Sequence, residues 1–235
     1  MAPPGFLLVF SEPGELVSEA EFHDWYDNEH IPLRVAVPAF LSWMRWEAVD
    51  GSSPKWGASY DIESFEATQT PPYSTLAQTR SDREKNLQSR IKRLDRRTYE
   101  VFEGHPAYPP SSLFDPNIPA PYTMFFSIDV KPEDEEGLNK WYYEEHIPMV
   151  SKSPGWLRSR RFVLKDWGKI GVEGKNDQKA PPKYLAVHEW TNPDFLQSDE
   201  LKAASTTTLA KKFLDEAAVS QEMRVMKLHK KWDRQ

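Results

Sequence analysis

The chain has 235 residues, 39% hydrophobic and 13% aromatic with nine tryptophans, enough apolar material for one large or two small packed cores despite a mean hydropathy of −0.70. The formal net charge of −6 divides into 11 basic against 18 acidic residues over 1–117 and 19 against 18 over 118–235, so neither half has the basic excess of a nucleic-acid-binding surface. The absence of cysteine excludes disulfides, thiolate nucleophiles, iron–sulfur clusters and cysteine-ligated zinc, and the lack of a basic leader or of an apolar run near the ~20 residues of a membrane span points to a cytoplasmic protein with no membrane partner.

In chain order, the apolar β-prone run Gly5–Phe10 predicts a first strand. An amphipathic helix follows, carrying Phe22-His23-Asp24-Trp25-Tyr26-Asp27-Asn28-Glu29-His30-Ile31-Pro32-Leu33 and expected to end near Ile31-Pro32, because proline disfavours helical geometry in the residue before it. Two extended segments, Phe40–Val49 and Lys55–Ile62, come next. A second helix over about Tyr73–Leu94 and a strand over Thr98–Glu103 complete a βαββαβ unit.

After the proline-rich stretch His105–Tyr122, which reads as a linker, the same order recurs. Strand Tyr122–Val130 precedes a helix whose Leu138-Asn139-Lys140-Trp141-Tyr142-Tyr143-Glu144-Glu145-His146-Ile147-Pro148-Met149 matches the first copy without a gap at an offset of 116 residues. Strands Trp156–Leu164 and Lys183–Trp190, a helix over Asp194–Ala218 and a strand over Ser220–Leu228 close the second unit. The expected domains are therefore a first ferredoxin-like repeat over 1–104, a linker over 105–121 and a second repeat over 122–235. Each unit would cover one face of a four-stranded sheet with helices and leave the other bare, so the predicted fold class is α+β, two ferredoxin-like repeats packed sheet to sheet as an intrachain barrel. The copies differ mainly over Lys165–Pro182, about 12 extra residues that read as a lid or a surface loop. Its Gly168, Gly171 and Gly174 lack the spacing and context of a dinucleotide fingerprint.

Residues four apart share a helical face, which pairs Tyr26 with His30 and Tyr142 with His146, and aligns Trp25 with Glu29 and Trp141 with Glu145 on a neighbouring stripe. A phenol beside an imidazole suits proton transfer at a carbonyl or leaving oxygen, so His146, His30, Tyr142 and Tyr26 are the candidate catalytic groups. The structural reading of the same residues is a histidine favouring a helix C-terminus and aromatics filling a core. Trp25, Trp141, Glu29 and Glu145 are candidate substrate contacts, joined by Tyr60 and its third-strand counterpart His188, by Trp190, and by Trp43, which with Trp46 and Trp156 could equally fill the barrel. His23, Asp27 and His30 have a ligand-like i, i+4, i+7 spacing, but the second copy offers Asn139, Tyr143 and His146, so no metal site is expected. The arginine-rich runs Arg90–Arg97 and Arg158–Arg161 read as solvated faces.

At the repeated Trp-Tyr-x-x-Glu-His-Ile-Pro motif the sequence resembles the EthD-like branch of the dimeric α+β barrel superfamily, along nearly the whole of each half. That resemblance implies a pocket between the sheet and helices of each half, with His30 and His146 at or near it, in a superfamily that spans muconolactone isomerases, cofactor-free monooxygenases, polyketide cyclases, anthrone-type decarboxylases and haem-binding chlorite dismutases. Fusion of two units, which relatives supply as separate chains, lets the pockets diverge and makes a monomer the expected state. The resulting expectation is a cofactor-independent lyase or isomerase acting by proton transfer on a small aromatic or polyketide-like substrate. The alternatives are a cofactor-free monooxygenase and a non-catalytic small-ligand or haem-binding barrel.

Overall fold

A computed structural model describes residues 2–234. Two βαββαβ repeats supply eight strands, which close in the order β1-β3-β2-β8-β5-β7-β6-β4, an antiparallel α+β barrel built within one chain. Among the described residues no helix is long and apolar enough to cross a membrane.

In the first repeat, β1 (Gly5–Glu12) lies between β3 (Trp56–Ile62) and β4 (Arg93–Val101), with Leu7 opposite Tyr60 on one side and Thr98 on the other. Strand β2 (Trp43–Ala48) pairs along β3. Helix α1 (Glu19–Trp25) starts where the Ser18 hydroxyl accepts from the Glu21 N–H, and it buries Phe22 and Trp25. The helix does not stop at Ile31-Pro32. It opens into a π turn over Tyr26–His30, closed by the Ile31 N–H donating to the Tyr26 carbonyl, and resumes as α2 (Ile31–Val35). Proline has no N–H to give and its ring crowds the carbonyl four residues back; widening the preceding turn accommodates both, and Pro32 then sits in the tolerant first turn of α2. The second repeat does the same: its motif helix passes through a π turn over Tyr142–His146 into a short helix beginning at Ile147.

The single helix expected over Tyr73–Leu94 is absent. Residues 63–81 form an irregular segment with short 3₁₀ turns, and α3 (Asp82–Arg90) begins only where Ser81 accepts from the Glu84 N–H. Ser81 followed three residues later by Glu84 is a helix-start signal, and it outweighs the weaker helical pattern upstream.

In the second repeat, β5 (Tyr122–Val130) lies between β7 (Tyr184–Trp190) and β8 (Ala218–Trp232), with Met124 opposite His188. Helices α4 (Glu135–Trp141) and α5 (Ile147–Val150) carry the motif. The helix expected over Asp194–Ala218 is broken into α6 (Asp199–Ala204), capped by Ser198, and α7 (Thr208–Lys211), capped by Thr207. Strand β6 (Trp156–Ile170) corrects part of the loop expected over Lys165–Pro182: residues 165–170 continue the strand, while 171–182 form a short 3₁₀ turn and irregular chain.

By its contacts the chain forms two compact units, Met1–Val101 with Leu164–Pro181 and His229–Gln235, and Phe102–Val163 with Pro182–Leu228. The extension thus belongs to the unit containing the first repeat. It is pinned there by backbone hydrogen bonds from Val172 N–H to the Ile91 carbonyl and from Glu173 N–H to the Lys92 carbonyl, both 2.9 Å. Gly171 makes this docking possible, with φ at 98° and a Cβ position that would stand 2.5 Å from the Ile91 oxygen. Gly171→Ala should therefore cost about 1–3 kcal/mol in denaturant unfolding and expose residues 171–181 to limited proteolysis; wild-type stability and resistance would show that the docking contributes nothing.

Candidate active site

The π turn decides what surrounds His30. Its extra residue brings His30 against the ring of Trp25, five positions earlier, at 4.4 Å between centroids, while Tyr26 stays at 4.9 Å. His30 is only 5% exposed, and its Nδ1 lies 2.9 Å from Glu84 Oε1. Glu84 is itself buried and accepts a second bond, 3.0 Å, from the Gln88 amide. Burial holds the imidazole well below its ordinary pKa, and the Arg34, Arg80 and Arg45 guanidiniums push the same way. For Glu84, burial raises the carboxyl while Arg34 and Arg80 oppose it. A neutral imidazole donating from Nδ1 to the acceptor-only carboxylate keeps the Nε2 lone pair free to take a proton.

His30 forms part of the wall of a cavity of about 300 Å³. Leu7, Val9 and Leu94 supply apolar wall from the sheet, and Tyr73, Leu76 and Arg80 come from the irregular segment before α3. Asp166 and Ile170 of the β6 extension complete it, so the residues that distinguish the second repeat help to build the first unit's cavity. Arg34 donates to the His30 carbonyl at 2.7 Å, and its guanidinium lies 6.0 Å from the Tyr73 ring. Arg96 donates to Thr98 and to Asp166, at 2.8 and 2.6 Å. Arg80, half-buried, makes no ion pair among the described residues. Three arginines against one lining carboxylate, with Glu84 behind His30, give this cavity a bias toward anions.

The other candidates of the first repeat lie elsewhere. Tyr26 is buried with its hydroxyl 3.4 Å from Ser11 Oγ, and Trp25, Trp43 and Tyr60 are core residues that do not line the cavity. Burial pushes the Tyr60 phenol up, so it stays protonated near neutral pH. Trp25 and Glu29 do not pair; instead the Ser81 hydroxyl donates to Glu29. In the second repeat the matching Glu145 accepts from Trp141 Nε1 at 3.1 Å and from Thr207 at 2.5 Å. Both glutamates tie the motif helix to the capping residue of a later helix, a positioning role. The ligand-like trio is dispersed too: His23 stacks on His229, Asp27 pairs with Arg45 and Lys230, and His30 pairs with Glu84.

In the second unit His146 again packs on Trp141 and Tyr142, at 4.5 and 5.0 Å, but its Nδ1 donates to the Ala204 carbonyl at 3.2 Å, and no carboxylate among the described residues bonds to it. His188 Nδ1 lies 2.7 Å from Ser159 Oγ, and the two imidazoles are 5.9 Å apart. Trp190 stacks on Phe195 at 3.8 Å and donates to Ser153, as a core residue does. The arginine runs are not solvated faces. Arg97 is buried against Asp95, Arg90 reaches Glu21, Arg158 and Arg160 share the buried Glu189, and the Arg161 guanidinium is enclosed by aromatic rings. Of the groups at the cavity, sequence reasoning found His30 and missed Glu84, Arg34, Arg80 and Asp166. The capping signal Ser81-x-x-Glu84 and the i+4 spacing of Arg34 from His30 were the available traces.

Burial lowers His146 to about 4 and His188 to about 3, so between the ordinary value of 6.5 and about 4 the unfolded chain binds protons that the folded unit refuses. Folding stability should fall with acidification across that window by up to about 3 kcal/mol per pH unit, the effect of two such groups. Denaturant unfolding of wild type and of His188→Gln from pH 7 to 4 checks this; equal slopes would mean that His188 is not held neutral.

No protein-family model matches the chain, and no curated protein matches it in sequence. Solved structures do. An anthrone oxidase-like protein aligns over 100% of this chain and 94% of its own with a TM-score of 0.64 at 10% identity. A provisionally named monooxygenase of Fusobacterium nucleatum aligns over 99% and 95% with a TM-score of 0.56 at 9% identity, and a haem-binding protein of Thermus thermophilus over 98% and 92% with 0.54 at 12%. At such identities the likeness speaks to the fold and does not reach as far as the EthD-like branch. The chain has the α+β barrel fold of these structures, with all eight strands in one polypeptide.

Proposed function

We propose that the first unit is a cofactor-independent monooxygenase site, in which His30 removes a proton from an activated CH₂ group of a small, acidic aromatic or polyketide-like metabolite. The carrying observation is the His30–Glu84 pair at the wall of a cavity whose arginines Arg34 and Arg80 have no lining carboxylate as partner. Glu84 orients the imidazole and stabilises it once protonated, the arginines hold the substrate anion, and the apolar wall from Leu7, Val9 and Leu94 excludes water. The carbanion adds dioxygen, the peroxide formed loses hydroxide, and that hydroxide with the abstracted proton leaves as water: CH₂ plus O₂ gives C=O plus H₂O, with no outside reductant. The similarity to an anthrone oxidase-like protein and to a provisionally named monooxygenase supports this reading over the lyase or isomerase, which would share the first proton transfer and then proceed without dioxygen. A cavity of about 300 Å³ stands at the lower end of small-molecule pockets and suits a compound of few rings better than a porphyrin.

With anthrone as probe substrate, oxygen uptake should accompany quinone formation one to one. His30→Ala should lower kcat/KM by about 10²–10⁴-fold with the far-UV spectrum and unfolding midpoint retained, the span general-base catalysis supplies. Turnover under argon would replace the monooxygenase with an isomerase or lyase, and a fully active His30→Ala would remove the histidine from the chemistry.

Because burial depresses His30, the imidazole stays a free base below the ordinary histidine range. The acid limb of kcat/KM should accordingly lie below pH 6.5. Glu84→Gln, which takes away the counter-charge that stabilises the imidazolium, should shift the limb further down and slow turnover roughly tenfold or more. An unshifted limb in Glu84→Gln would mean that Glu84 does not act through His30.

A further inference from the structure

Arg45 and Arg161 stand 116 residues apart, the offset of the repeated motif. Each lies on the second strand of its repeat opposite a third-strand alanine, Arg45 opposite Ala58 and Arg161 opposite Ala186. Each guanidinium lies over the motif tyrosine, 4.4 Å from the Tyr26 ring and 4.1 Å from the Tyr142 ring. What meets their charge differs. Arg45 donates to Asp27 Oδ1 at 3.0 Å, and Asp27 directly follows Tyr26 in the π turn of the motif helix. The residue at that place in the second copy is Tyr143, whose ring lies flat on His105, 5.0 Å away and 6° from parallel.

Arg161 has therefore lost the carboxylate that its counterpart keeps. Its three guanidinium nitrogens are out of reach of solvent and none has a hydrogen-bond partner among the described residues. Tyr142, Phe102 and Tyr184 surround it, at 4.1, 4.9 and 5.6 Å. The Tyr142 hydroxyl beside it is likewise buried and unpartnered. Burial brings Arg161 down to about 10, which leaves it a cation at neutral pH. Aromatic faces offset part of the cost of enclosing a cation, but they cannot accept the N–H bonds that a guanidinium fork presents to a planar carboxylate.

We infer that Arg161 and Tyr142 form the anion-recognising end of a second ligand site, which takes the carboxylate of a small, flat organic acid in the role that Asp27 plays for Arg45. Recognition is a charge-assisted bond from the guanidinium to a carboxylate oxygen, as Arg45 makes to Asp27, and because the guanidinium nitrogens are enclosed the surrounding rings part to admit the flat acid. The site lies within the second unit and is independent of the chemistry proposed for His30.

The test uses the full-length protein with acetate, benzoate and inorganic phosphate as probes, followed through the imidazole NMR signals of His146 and His188, on whose ionisation Arg161 bears, and through His30 as reporter of the other site. Benzoate should shift the His146 signal saturably and more tightly than acetate. Arg161→Met should weaken that response at least tenfold, and Tyr143→Asp, which restores the carboxylate found in the first copy, should abolish it. Should Arg161→Met fail to fold, Tyr143→Asp decides alone, and an undiminished response there overturns the site. No response to either carboxylate, a response to phosphate only, or one that moves His30 and leaves His146 still would each overturn it as well.

Discussion

The proline two residues after each motif histidine is the constraint around which both helical arms are arranged. Pro32 and Pro148 can donate no hydrogen bond, and a regular α-helix would drive their rings into the carbonyl four residues back. The chain relaxes that clash with a π turn and stays helical, and the turn rotates the histidine onto the tryptophan five residues before it. A histidine pressed between two aromatic rings is desolvated and therefore neutral, and its Nδ1 is left facing whatever the following elements provide. π turns of this kind recur at functional sites because they aim a side chain at little cost to the helix on either side.

The two copies diverge in what they place opposite that histidine. In the first, the capped helix α3 presents the Glu84 carboxyl to His30 Nδ1; in the second, the Ala204 carbonyl takes the bond and offers no charge. The arginine facing the motif tyrosine shows a reciprocal divergence, with Asp27 beside Arg45 and no carboxylate at Arg161. Fusion makes such divergence possible. Two separate identical chains would carry each change in both sites, whereas a single chain can change one half and leave the other as it was.

Fusion also allows one repeat to furnish the other. The extension beyond Leu164 is pinned by Gly171 to the backbone at Ile91 and Lys92, and it contributes Asp166 and Ile170 to the cavity beside His30. A segment that a pairwise alignment of the repeats shows only as unmatched residues is thus a wall of the candidate site. Its Asp166 engages Arg96, which leaves Arg34 and Arg80 as the charges available to an anionic ligand.

The duplication, the βαββαβ order and the barrel class were legible in the sequence, because they rest on local periodicity and on a twelve-residue motif repeated without a gap. The place of His30 at a cavity wall was expected only from the family resemblance that this motif carries. The pairing of His30 with Glu84, 54 residues apart, was not, nor was the enclosure of Arg161, because charge pairing and burial depend on which strands and helices meet, and residue types alone do not encode it. The arginine runs show the limit most plainly: by composition they read as solvated surface, yet strand alternation turns Arg97 and the Arg161 guanidinium inward while Arg158 stays partly exposed. Covalent neighbours determined the elements of this protein. Only tertiary packing decided which charges were taken out of water, and with that where its chemistry can occur.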